Sequence, residues 1–93
     1  MLNQKRIKDL EKQARKAKYN KHFIIAAMSY FLIGDLYLED GVITDAIENY
    51  KKAREVCKKT EKAVIILREL EEKIKKMEEK YLTINSKCSL CSL

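Results

Sequence analysis

Apolar residues recur along most of this chain at spacings of three and four, the period of a helix with one covered face. The pattern predicts four helices. The first, from about Gln4 to Lys18, carries a narrow stripe of Ile7, Leu10, Ala14 and Ala17; Asn3 is placed to cap it, with Leu2 and Ile7 as a hydrophobic staple. The second, from about Lys21 to Glu39, is apolar nearly all round, since only Ser29, Gly34 and Asp35 interrupt the run from Phe23 to Leu38. A helix without a polar face has to be covered on several sides, so this one is expected at the centre. Tyr19-Asn20-Lys21 is weak punctuation between the two. Asn20 as a cap, with Tyr19 and Ile24 as a staple, would break the chain there; a single helix from Asn3 to Glu39 is the alternative.

Asp40-Gly41 ends the second helix, because glycine can take the left-handed conformation that closes a helix without a side-chain clash. A third helix is expected from about Ile43 to Lys58, with Ile43, Ala46, Ile47, Tyr50, Ala53 and Cys57 on one face. Thr60 is placed to cap a fourth, whose stripe is Leu67, Leu70, Ile74, Met77 and Tyr81. Its other faces hold Glu69–Lys73, Glu71–Lys75 and Glu72–Lys76 in the favourable acid-before-base order. From Thr83 the pattern stops, and residues 83–93 read as a flexible tail.

Composition agrees with this all-α reading. Two glycines and no proline leave little of the punctuation that β-rich folds require. Ninety-three residues bound one domain, read as a bundle of three to four helices over residues 1–82, with a net stability of roughly 5–10 kcal/mol. Met1 to Lys21 is basic and lacks the apolar stretch of a secretory signal. The run from Phe23 to Ile33 falls short of the roughly 20 apolar residues that cross a bilayer, so no membrane partner is expected. Three cysteines without framework spacing fit a reducing compartment, and the expected location is cytoplasmic.

Charge adds an asymmetry. Residues 1–22 carry eight basic and two acidic side chains, so the whole formal excess of +6 lies at that end. Lys5, Arg6, Lys8, Lys12, Arg15 and Lys16 are therefore candidates for binding nucleic acid or another polyanion, although no aromatic residue stands among residues 1–18 to stack on a base.

Ala27, Tyr30, Ile33, Gly34, Tyr37, Gly41, Ala46, Tyr50 and Ala53 stand in the order and spacing of one tetratricopeptide repeat, and residues 27–58 resemble such a repeat. The resemblance covers about a third of the chain. Lys58 stands where these repeats commonly carry a proline. It implies an antiparallel hairpin over residues 21–58, in which Gly34 and Ala46 form the close contact and tyrosines fill the gaps. The basic helix 1–18 and an amphipathic closing helix 60–82 flank it. The repeat does not recur: Val64, Arg68 and Glu71 stand one period downstream of Tyr30, Gly34 and Tyr37. Since about three repeats make a stable array, a single one has to close as a small bundle or dimerise. A weaker resemblance links residues 22–82 to the three-helix MIT domains, which bind short helical motifs.

Both resemblances imply a non-catalytic interaction module that takes a protein segment, or a second copy of itself, in a groove. The residues that the tetratricopeptide likeness assigns to the concave face are Met28, Phe31, Asp35, Leu38 and Glu39. Relatives that clamp a terminal carboxylate use lysine and asparagine on that face; Phe31 and Asp35 occupy those places here, and an apolar groove with an acidic edge suits a hydrophobic or basic helix instead. Other chemistry finds little footing, and no enzyme or cofactor is expected. Asp35 and Glu39, four apart, serve best as ion-pair partners for a neighbouring helix. His22 is a lone histidine without a triad, and no glycine-rich phosphate loop exists. Cys88 and Cys91 form a CxxC that supplies two of the four ligands a structural zinc needs, a weak metal candidate. Cys57 lies on an apolar stripe and is read as core.

Overall fold

A computed structural model describes residues 3–82, apart from the side chain of Leu82, so Leu2, Cys88 and Cys91 lie outside the described residues. Among the described residues are four α-helices and no strand: α1 (Gln4–Tyr19), α2 (Phe23–Glu39), α3 (Ile43–Cys57) and α4 (Val64–Met77). A 3₁₀ turn, Glu61–Ala63, leads into α4, and a π-helical turn, Glu78–Leu82, follows it. Each helix packs on its neighbour in the chain, giving an all-α bundle.

The break between α1 and α2 is real, and its chemistry differs from the expected cap and staple. Tyr19 is 88% exposed and so staples nothing, and Asn20 is the C-cap of α1 rather than the N-cap of α2. The reversal comes from a Schellman closure. His22 N–H donates to Ala17 O at 2.8 Å and Lys21 N–H to Lys18 O at 3.1 Å, with Lys21 in the left-handed region at φ 62°. The end of α2 repeats this closure: Val42 N–H donates to Tyr37 O at 2.9 Å and Gly41 N–H to Leu38 O at 3.1 Å, with Gly41 at φ 78°. One device thus ends both helices, once on the glycine that suits it and once on a lysine whose Cβ is disfavoured there.

At the start of α1, Asn3 makes no side-chain cap bond. Its Nδ2 donates instead to Asp40 Oδ1 at 3.2 Å and ties the beginning of α1 to the end of α2. Thr60 does cap the 3₁₀ turn, its hydroxyl oxygen accepting from Lys62 N–H at 3.3 Å.

As its apolar surface demands, α2 is central, with α1 on one side and α3 on the other. Small residues set the spacing. Ala14 and Ala17 of α1, Ala26 and Ala27 of α2, and Ala46 and Ala53 of α3 are all buried, so backbones approach closely and the larger side chains fill the gaps between them. Ile7, Ile33 and Leu36 form a cluster between α1 and α2; Tyr50, Ile47, Val56 and Cys57 of α3 join Leu70, Ile74 and Met77 of α4 in the main core. Gly34 meets its reason here. The three atoms nearest a Cβ built at this position all belong to the Tyr50 ring, the closest at 2.6 Å, so the aromatic side chain rather than Ala46 is what the missing side chain makes room for. Cys57 is buried as expected, and burial pushes its thiol pKa up, away from reactivity.

Candidate functional site

Three helices meet at one polar junction. Asp35 projects from α2, Tyr50 from α3 and Lys73 from α4. The Tyr50 hydroxyl donates to Asp35 Oδ1, and Lys73 Nζ donates to the same oxygen at 2.8 Å. Phe31, one helical turn before Asp35, meets the Tyr50 ring edge-on at 5.5 Å and 72°. Lys73 Nζ lies 5.0 Å from the centre of the Phe31 ring and 5.1 Å from that of Tyr50, so its charge is held by two aromatic rings and a carboxylate. Lys73 therefore pairs with the carboxylate of a neighbouring helix rather than with Glu69 on its own helix, the partner its spacing suggests. Asp35 serves as the ion-pair partner that its place on α2 suggests. Both charged side chains are about a third exposed, and the pair by itself is worth no more than about 1 kcal/mol. Its effect is geometric: it fixes α4 against α2.

The junction is not poised for proton abstraction. Burial, the hydrogen bond given to Asp35 and the negative charge of that carboxylate all push the Tyr50 pKa well above its ordinary 10.0. The phenol therefore keeps its proton, which is already engaged. Tyr50 therefore adds stability fully below pH about 10, where the unfolded chain is also protonated, and that stability is lost as pH rises further and only the unfolded chain ionises. Tyr37, raised mainly by burial and then by Glu11, Asp45 and Glu48, acts in the same direction. Urea unfolding at stepped pH should thus show stability falling more steeply above pH about 10 in the native protein than in Tyr50→Phe, by up to about 1.4 kcal/mol per pH unit. Parallel curves for the two proteins would refute this placement of the hydroxyl.

Beside the junction, α2 and α4 leave an apolar cleft of about 210 Å³ lined by Met28, Phe31, Leu32, Ile66 and Glu69. Leu32 also lines a second cleft, of about 430 Å³, between α1 and α2, where Arg6, Asp9, Asp35, Leu36 and Glu39 stand. The two clefts share Leu32, on one face of α2. Ile25, Met28 and Leu32, at i, i+3 and i+7, are each about half exposed on that face, at 46%, 52% and 49%. Ile65 of α4 is 75% exposed.

Of the residues expected on the concave face, Met28, Phe31, Asp35 and Glu39 line these clefts. Leu38 lines neither and packs instead against the main core. Phe31 is half-buried beneath Lys73, so it shapes the wall more than it offers contact. Leu32, Ile66 and Glu69 are additions. Leu32 was legible, four residues beyond Met28 and three before Asp35; the α4 residues were not, because no periodicity says where α4 docks.

Lys5, Arg6, Lys8, Lys12, Arg15 and Lys16 are all exposed on α1. Their spacing places five of them opposite the buried stripe, while Arg6 falls on the flank and lines the cleft with Leu32. His22 is exposed at the N-cap of α2. Among the described residues no group of three or more His, Cys, Asp or Glu side chains could hold a metal ion, and no helix is long and apolar enough to cross a membrane. Compared with known proteins, the chain matches no family model, no curated protein and no solved structure.

Proposed function

We infer that this chain is a non-catalytic interaction module that takes an amphipathic helical segment of a protein along the face shared by α2 and α4. The observation that carries this reading is the row Ile25, Met28 and Leu32, half exposed beside an apolar cleft whose far wall is Ile66. Soluble domains seldom leave such side chains contiguous without a use. The occupant would set apolar side chains at i, i+3 or i+4 and i+7 into the clefts, with a basic residue toward Glu39 and Glu69 at their edges. The tetratricopeptide likeness of residues 27–58 points the same way, since in those arrays the groove is lined by the first helix of each repeat, the place α2 would hold.

A test selects helical peptides from a random display library against the native protein and measures their binding to Leu32→Glu and Met28→Glu. Both positions are about half exposed, so the fold tolerates the charge. Enriched peptides should share the apolar spacing with basic flanks and bind each variant at least about tenfold more weakly, the effect of charging an apolar anchor site. A selection that enriches nothing, or peptides indifferent to both variants, would refute the groove. If the purified protein is instead a dimer that Leu32→Glu converts to monomer, the occupant is a second copy and the peptide reading fails.

A further inference from the structure

The fold extends the basic end of the chain beyond α1. Lys18, at the end of α1, lines a cleft of about 380 Å³ with Tyr30 of α2 and with Lys51, Lys52 and Lys59 from α3 and the turn after it. Glu48 and Glu55 also line it. Glu55 is engaged by Lys58 at 3.5 Å, and Lys51 by Glu78 at 3.3 Å. The cleft therefore keeps a net positive charge, and Lys18, which lines it, lies in the last turn of the helix that carries Lys12, Arg15 and Lys16. The sequence spreads these lysines over more than 40 positions; the hairpin brings them to one side.

Tyr19, the residue after Lys18 and the last of α1, is 88% exposed. It follows Arg15 by four residues and Lys16 by three, so all three share one face of α1. An aromatic ring held out in water among cations is the element that the first 18 residues lacked for stacking on a base.

We propose that this surface, from Lys12 through Tyr19 into the Lys18–Lys52–Lys59 cleft, binds single-stranded nucleic acid: the cations engage phosphates and the Tyr19 ring stacks on a base. The charge complementarity would serve an anionic membrane as well, but α1 turns its apolar stripe inward, where Ile7, Ala14 and Ala17 are buried, and so has no acyl-inserting face beside its lysines. Duplex is disfavoured because its bases are already stacked and give Tyr19 no partner.

The test is fluorescence anisotropy with a labelled mixed-sequence RNA oligonucleotide, alone and as a duplex, together with vesicle co-sedimentation on anionic phospholipid. The single strand should bind more tightly than the duplex, with affinity falling with salt at a log–log slope of about −3 for some four phosphates neutralised. Tyr19→Ala should weaken single-strand binding about tenfold and leave the salt slope unchanged. Lys16→Glu with Lys52→Glu should weaken binding and flatten the slope. These side chains are exposed, so helical circular dichroism should match the native protein in every variant. The proposal is overturned by no binding at low salt, by Tyr19→Ala binding the single strand as well as native, by equal affinity for duplex, or by binding confined to vesicles.

Discussion

Tyr50→Ala is expected to lower the unfolding free energy by about 4 kcal/mol, within the range for emptying a fully buried aromatic site. The ring is wholly inaccessible and stands where three helices converge. Its removal strips Gly34 of the surface it packs on, Phe31 of its edge-on partner and Lys73 of one of its two rings, and Asp35 loses a donor. Against a total of roughly 5–10 kcal/mol for a domain this size, the variant should be marginal and should unfold in low urea. Tyr50→Phe keeps the ring and gives up only the hydrogen bond, whose acceptor is partly exposed to water, at a cost of about 1 kcal/mol. An alanine variant within 1 kcal/mol of the native protein in urea would show that this ring does not organise the core.

The second large effect reverses an ordinary rule. Gly→Ala inside a helix normally stabilises by about 1 kcal/mol. Gly34→Ala should instead destabilise by about 2 kcal/mol, because the new methyl would lie 2.6 and 2.7 Å from two carbons of the Tyr50 ring. The ring cannot swing away cheaply: its hydroxyl is bonded to Asp35 and its face is held by Phe31 and Lys73. The helices would have to separate, and the alanines that set their spacing would lose contact. In a thermal melt this corresponds to a fall of roughly 10 °C for a chain of this length. A melt at or above the native temperature would contradict the packing.

Particular residues show how far this could be read in advance. The hairpin was legible because Gly41 supplies a left-handed closure and because the apolar positions of α2 and α3 leave no other way to be covered. The stripe Leu70, Ile74 and Met77 of α4 was legible for the same reason and is buried. The closure at Lys21 was not, since the hydrogen bonds that impose it are backbone bonds and a lysine at positive φ leaves no mark in composition. Tyr19 looked like a staple by spacing, yet the reversal turns it outward to 88% exposure. Of the α2 residues that the tetratricopeptide likeness assigns to a groove, Met28, Phe31, Asp35 and Glu39 line the clefts and Leu38 does not. The wall from α4 is set by where its buried stripe seats in the core and by an ion pair 38 residues apart in sequence, between Asp35 and Lys73, neither of which a local pattern encodes. Gly34 was legible as a contact point, but the Tyr50 ring as its nearest neighbour was not: helix geometry alone cannot say whether a small residue makes room for another small residue or for a ring.

Everything proposed for the α2 and α4 face depends on Tyr50 being seated on Gly34, because that seat positions Asp35 to hold Lys73. A double-mutant cycle tests it most directly, with the stability effect of Gly34→Ala measured by urea unfolding in the native background and again in Tyr50→Leu. The predicted result is a change of sign, from a loss of about 2 kcal/mol to a neutral or favourable effect once the ring is gone. An equal loss in both backgrounds would mean that Gly34 is confined by something other than Tyr50, and the three-helix junction described here would be wrong.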